Sequence, residues 1–217
     1  MTSSLKIDFV SDISCPWCAI GLASLEHALG NMQGEVSARL HFQPFELNPQ
    51  MPAGGQDIGE HLQQKYGSTE EQRVQIRETI RQRGAGVGFT FGAGGRNRIY
   101  NTFNAHRLLH WAGEQGAGAQ HRLKMALFSA YFTDGQNVAD HAALLGAVEA
   151  AGLDRAAAAE VLAGNGFAEE VRGEENYWRR EGINAVPAVI INGKYMISGG
   201  HPAASFEKAL RRIAAEG

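Results

Sequence analysis

Both cysteines of this chain stand three positions apart, in Ser14-Cys15-Pro16-Trp17-Cys18, at the junction of two different sequence patterns. Before them, Leu5-Lys6-Ile7-Asp8-Phe9-Val10 alternates and is rich in β-branched and aromatic residues, which predicts a short strand. After them, Ala19, Leu22, Ala23, Leu25 and Leu29 recur at helical spacing, with Gly30 near the end, so a helix is expected from about Pro16. Proline suits that first position because its missing N–H would have no intrahelical partner there. Whatever the fold, it must hold two thiols one turn apart on the opening of a helix, close enough for a disulfide.

That position favours redox chemistry. The unpaired N–H groups and positive dipole end of a helix stabilise an anion, so Cys15 is expected to form a thiolate at lower pH than a free cysteine. Cys18, one turn further in, reads as the more buried, resolving thiol. A structural zinc site would need four ligands, and the chain has no second cysteine pair and no histidines at the usual spacing to complete one. Two inert core thiols are the plain alternative.

The strand texture resumes over residues 36–45 and is closed by the turn-rich Asn48-Pro49-Gln50-Met51-Pro52-Ala53-Gly54-Gly55. From about 57 to 182 the pattern is helix after helix, with no strand needed. Ser68-Thr69-Glu70-Glu71 reads as a capping box heading a helix to Arg83. Residues 101–112 and 121–132 carry apolar stripes. Asp140 and Asp154 read as N-caps of helices ending near Gly152 and Gly164, and a last helix covers 167–181. Strands then return: residues 188–191, Asn192-Gly193 and residues 194–198 form a hairpin signal with a type I′ turn, followed by a helix from Pro202 with Phe206, Leu210 and Ile213 inward. The expected architecture is one αβ layer structure, residues 1–56 with 183–217, interrupted by an all-helical insertion, 57–182, whose last helix (about 167–182) packs back on the core.

With 217 residues, 44% of them apolar, the chain can build one core of that kind. Its net charge of −3 offers no basic field for nucleic acid or an anionic membrane. The N-terminal apolar run is interrupted by Asp8, too short for a signal segment, and there is no 18-residue apolar stretch. The expected location is the cytoplasm, where a lone cysteine pair is more often catalytic or metal-binding than a staple.

At this point the residues resemble a family. The strand, Cys15-Pro16-Trp17-Cys18, the helical insertion and Val186-Pro187 ahead of a hairpin resemble the DsbA-like branch of the thioredoxin superfamily, in particular its FrnE-type oxidoreductases. The likeness extends to Phe45-Glu46-Leu47-Asn48-Pro49, to residues 101–108 (Asn-Thr-Phe-Asn-Ala-His-Arg-Leu), to Ala130-Tyr131-Phe132 and to residues 182–195. It implies an α/β, thioredoxin-like fold with a large all-helical insertion. It also implies that Pro187 is a cis-proline facing the active-site disulfide, with Val186's peptide groups left free to pair with a substrate chain. The plainer reading of Pro187 is the start of an edge strand.

Four further residues are candidates for supporting roles. Asp8 resembles the acidic strand residue that moves protons in related oxidoreductases, although pairing with Lys6 or plain exposure would explain it too. Asp12 is nearer Cys15 and reads as a loop cap. His106 lies with Arg107 and His110 on a helix whose Leu108 and Leu109 face the core, where a satisfied interfacial histidine is the ordinary case. His201 stands in Gly199-Gly200-His201-Pro202, where family members commonly show Gly-Ala-Gln-Pro; it reads as an N-cap substitute, or more sharply as a thiolate partner. The glycine-rich stretch Gly84–Gly95 lacks phosphate-loop spacing and reads as a mobile loop overhanging the cleft.

The function expected is thiol–disulfide oxidation, reduction or isomerisation with protein or small-molecule thiols: Cys15 exchanges, Cys18 resolves, and Pro16, Trp17, Val186 and Pro187 form the active-site loop and docking edge. Without a histidine between the cysteines, a milder oxidant is expected than the strongly oxidising relatives. No metal or bound cofactor is needed, with glutathione a candidate co-substrate. One rival is a glutathione-dependent isomerase or transferase, as in the 2-hydroxychromene-2-carboxylate isomerases and kappa-class glutathione transferases, which share the inserted architecture but generally replace the first cysteine by serine. Another is a non-catalytic binding or accessory protein. The oligomeric state stays open; aromatic positions read as exposed would suit a homodimer.

Overall fold

The computed structural model describes residues 3–52, 54–93 and 96–216. Strand β1 (Ser3–Ser11) leads through the cysteine turn into α1 (Pro16–Asn31) and back through β2 (Val36–Pro44), which lies parallel to β1 with Phe9 opposite Phe42. The chain then leaves the sheet through β3 (Gln56–Asp57), α2 (Ile58–Tyr66), α3 (Glu70–Ala85) and β4 (Arg98–Ile99). Next come α4 (Phe103–Gly113), α5 (Ala119–Phe128), a π-helical turn (Ser129–Thr133), α6 (His141–Ala150), α7 (Arg155–Ala163) and α8 (Ala168–Arg180). It returns through β5 (Ala188–Ile191), β6 (Tyr195–Ser198) and α9 (Ala203–Glu216). The main sheet has the order β2-β1-β5-β6, with β5 and β6 antiparallel to their neighbours.

Four local expectations are corrected. The 57–182 block does contain a strand: Arg98–Ile99 pairs with Gln56–Asp57, a ladder too short to leave a period-two pattern. The capping box is one residue later than read, with Thr69 and Gln72 exchanging side-chain-to-backbone bonds; the Ser-Thr-Glu-Glu-Gln run offers the same spacing in two registers. The helix read over 121–132 gives way after Phe128 to the π turn, which turns the consecutive side chains of Ala130, Tyr131 and Phe132 all inward. The caps at Asp140 and Asp154 form as expected. The hairpin also forms on the Asn192-Gly193 turn, with φ of 53° and 64°, the Lys194 N–H on the Ile191 carbonyl and Asn192 bonded back to Lys6, but its connection is one residue longer than read: Ile191 pairs with Tyr195, leaving Lys194 in the turn.

Side chains alternate across β1, and this sorts the core into two faces. Leu5, Ile7 and Phe9 join the main cluster with α1, the buried face of α9 (Phe206, Leu210, Ile213) and the insertion helices. Val10 points the other way, into a smaller cluster with Phe45, Trp178 of α8, Ile183, Ala188 and Ile190. Helix α8 therefore rests on the back of the sheet. Among the described residues, no helix is long and apolar enough to cross a membrane.

Candidate active site

Cys15 is the N-cap residue of α1, in extended backbone (φ −94°, ψ 112°), and the Cys18 N–H donates to its carbonyl at 3.0 Å. Cys15 is 4% exposed and Cys18 not at all. The Cys15 thiol donates to the Val186 carbonyl at 3.6 Å, so in this dithiol state one of the peptide groups expected to be free is occupied by the thiol itself. The Val186–Pro187 peptide is cis. Gly21 on α1 makes this approach possible: a Cβ there would stand 3.1 Å from the Pro187 ring and 3.2 Å from the Gly200 backbone. Pro16 is buried in the first turn, and Trp17 is half-buried against the core.

The two thiols have opposite electrostatics. The Cys18 thiol donates to Cys15 and lowers its pKa; burial works against this, while the Cys18 N–H and Arg96 add to it and Asp12 opposes it. Burial pushes the Cys18 thiol well up, reinforced by its bond to Cys15 and by Cys15's charge. The pair is thus unequal: the Cys15 pKa is drawn down and that of Cys18 is pushed up.

Beneath them sits Asp12, 1% exposed, read from the sequence as a loop cap and a candidate supporting residue. It does cap the turn, through Ser14 N–H (3.0 Å) and Ser14 Oγ (2.8 Å), but it also accepts from the Leu47 N–H (2.7 Å) and faces His106 Nε2 at 3.7 Å. Burial alone would raise its pKa; His106, Leu47 and Ser14 together hold it at about 2. The 45–49 segment and α4, distant in sequence, therefore meet at one carboxylate. Glu46 helps clamp them, with Asn101 at 3.5 Å and Arg172 on its other oxygen. Arg107 has a different task, tying α4 to the end of α7 through Gly166 O (2.8 Å), Gly164 O (2.6 Å) and Val161 O.

Two candidates lie elsewhere. Asp8 is buried, but on the α8 face with Val10; it pairs with Lys6 at 2.9 Å and accepts from Gln43 at 2.8 Å, because β1 alternation turns it away from the thiols. His201 is exposed: its Nε2 bonds the Ser198 carbonyl at 2.9 Å and its ring stands edge-on to Phe206, so it closes the β6–α9 loop and caps no helix. Nor is the described part of the glycine-rich stretch an overhanging loop. Phe89 packs edge-on against Phe128 and Phe132, Phe91 lies tilted against Phe132, and the Gly92 N–H donates to the Phe132 carbonyl at 3.0 Å. A Cβ on Gly92 would lie 2.1 Å from the Thr133 carbonyl oxygen, so tight packing explains this glycine. Gly94 and Gly95 fall outside the described residues.

Sequence reasoning missed two cations. Arg96, next after those glycines, donates to the Ser14 carbonyl, lies over the Tyr131 and Phe132 rings, and lowers the Cys15 pKa. Lys124 on α5 is fully buried, and burial pulls its ammonium down to about 8 against the charges of Cys18, Asp12 and Cys15. The signal was present: Lys124 falls on the same helical stripe as Leu127 and Phe128, the single charge on an otherwise apolar face.

Comparisons with known proteins bear on the family and the fold. YwbO of Bacillus subtilis (strain 168) is 28% identical over 213 residues, 97% of this chain and 96% of its own. The crystal structure of the probable DsbA oxidoreductase SCO1869 from Streptomyces coelicolor superposes with a TM-score of 0.89 at 32% identity, covering 98% of this chain and 91% of that one. The cytosolic disulfide reductase DsbM from Pseudomonas aeruginosa, solved with GSH, shares the fold at a TM-score of 0.65 and 16% identity, covering 97% and 99% of the two chains. The model of the DSBA-like thioredoxin domain matches residues 6–211, nearly the whole chain, and the protein belongs to that family.

Proposed function

We propose that this protein is a thiol–disulfide oxidoreductase of the FrnE type, working in the cytoplasm on protein or small-molecule thiols through Cys15 and Cys18. The observation that carries the reading is the inequality of the two thiols: Cys15 caps a helix and is stabilised as an anion, whereas Cys18 is buried and keeps its proton. In the reducing direction the Cys15 thiolate attacks one sulfur of a substrate disulfide; an S–S bond forms to Cys15, and the other substrate sulfur leaves as a thiol. Cys18 then loses its proton and attacks Cys15, releasing the second substrate thiol and leaving the Cys15–Cys18 disulfide. Oxidation of a substrate dithiol runs through the same steps reversed.

Once Cys15 is in a mixed disulfide it has no S–H to donate, and the Val186 carbonyl it holds becomes free for a substrate N–H. Val186 and Pro187 are in this way the docking edge. Glutathione fits as a small co-substrate, supported by the DsbM structure with GSH. In the test, Cys18→Ser protein is mixed with a disulfide substrate or oxidised glutathione and followed by intact mass. A mixed disulfide on Cys15 that persists is the expected result; failure of Cys18→Ser to form any adduct, under conditions where free thiols do, would overturn the reading.

A further inference from the structure

Arg96 belongs to the segment that leads into β4, and it is half-buried against the cysteine turn. Its Nη1 donates to the Ser14 carbonyl, the oxygen of the peptide that enters Cys15. Three covalent bonds join that oxygen to the Cys15 Cα, so bond lengths alone keep this nitrogen within about 7 Å of the nucleophile's backbone. The guanidinium is also laid over two rings, 5.7 Å from the centre of Tyr131 and 5.3 Å from that of Phe132. Such contacts fix a cation in place without neutralising it. Among the described residues Arg96 makes no ion pair. The acid of the same turn, Asp12, is 1% exposed and is taken up by the Ser14 and Leu47 N–H groups and by His106. Arg98, two residues on, differs: its Nε and Nη2 are spent on the Gly54 and Gly55 carbonyls, each at 3.1 Å, where they fasten a loop.

A fixed, part-exposed guanidinium with no carboxylate of its own, one peptide away from a nucleophilic thiol, has a definite chemical complement. Its planar fork suits a carboxylate, whose two oxygens accept its N–H groups. The helix start capped by Cys15 adds a dipole end of the same sign. The chain as a whole carries a charge of −3, so no general field gathers anions and the attraction is local. We infer that Arg96 sets the specificity of this site, favouring disulfides that carry a carboxylate close to the sulfur and disfavouring cationic ones. The inference rests on the exchange reading above and alters none of its bond-making steps: it adds the group that holds the substrate's charge while Cys15 attacks its sulfur.

In the test, reduced protein reacts at pH 7 with three disulfides of different charge: anionic oxidised glutathione, neutral 2-hydroxyethyl disulfide and cationic cystamine. Loss of the dithiol is followed by acid quench and intact mass. Each rate constant is divided by that of 2-mercaptoethanol with the same disulfide, which removes the reagents' own reactivities. Wild-type protein is expected to prefer oxidised glutathione to cystamine by roughly 10-fold or more. That preference should shrink as salt rises from about 0.05 to about 0.5 M. Arg96→Gln is expected to lose most of it, whereas Arg98→Gln, which removes an equal charge two positions away, should keep it within about twofold. A purely structural role for Arg96, or one confined to the Cys15 pKa, would move all three rates by a common factor, so the ranking is the readout. A wild-type protein indifferent to charge would overturn the inference whether or not any variant folds. A ranking that survives Arg96→Gln, or is lost equally in Arg98→Gln, would overturn it too, and each of these results leaves exchange intact. Wild-type protein that reacts with none of the three would overturn the exchange reading and this inference with it.

Discussion

On the α8 face of the sheet Asp8 is met by Lys6 at 2.9 Å and Gln43 at 2.8 Å, and its neighbours are Val10, Trp178 and Ile190. On the α1 face, four residues further along the same chain, Asp12 is buried with His106, Lys124 and two thiols. Both carboxylates are almost wholly inaccessible. The difference is in the partners: the Lys6 side chain is 55% exposed and neutralises Asp8 at the edge of water, whereas His106 and Lys124, near Asp12, are themselves buried. His106 Nε2 and Lys124 Nζ lack hydrogen bonds among the described residues. Unsatisfied buried polar atoms destabilise by about 1–3 kcal/mol each, and a fold tolerates them most readily where they serve chemistry. The comparison teaches that one face is built to hold the sheet together and the other to hold charges in reserve beside sulfur.

The largest effect expected from this contrast is on the thiol face. Cys15→Ser should lower disulfide exchange by at least ~10³-fold, since serine at pH 7 supplies no comparable anion, while thermal unfolding shifts little. An exchange assay on oxidised glutathione checks it. Trp178→Ala on the other face should do the reverse, costing about 3–5 kcal/mol in denaturant unfolding while exchange per folded molecule stays within a factor of about two. Equal losses of activity in the two variants would erase the distinction between faces.

Asp12→Asn comes next. Its folded pKa of about 2 lies below the ordinary 3.8, so between those values the unfolded chain binds more protons and stability rises with pH. Wild-type protein should therefore lose about 2 kcal/mol as pH falls from ~4 to ~2 through this group, a slope that Asp12→Asn removes. Because Asp12 raises the Cys15 pKa, the same variant should alkylate at Cys15 faster at pH 6. Asp8→Asn should be the smallest, under ~1 kcal/mol and without effect on alkylation, as for a pair half in solvent. A shifted Cys15 titration in Asp8→Asn would show that the sheet does not separate the two aspartates.

How much of this was legible before the structure follows from the range of the interactions. Local signals carried the cysteine turn, the Asp140 and Asp154 caps and the Asn192-Gly193 hairpin, because each is decided within a few residues. Cys15 at a helix start and Cys18 one turn deeper follow from the same locality. Asp8 and Asp12 could not be ranked, since strand alternation says that neighbours face opposite ways without saying which way the thiols lie. Lys124 and Arg96 reach the site from the insertion, 106 and 78 positions beyond Cys18, where no local pattern points to a sulfur. His201 drew attention by departing from a family motif, yet its ring only closes a loop. The Gly84–Gly95 stretch read as loose because glycine is permissive, whereas Gly92 is there because another backbone carbonyl leaves no room for a Cβ.

The most direct test is to equilibrate the protein in a series of glutathione redox buffers, trap the thiols and count alkylated cysteines by mass. The account predicts a reversible transition of both cysteines together, within the roughly −120 to −270 mV range of catalytic dithiols. A pair that stays reduced across the series, or that oxidises without returning, would contradict it.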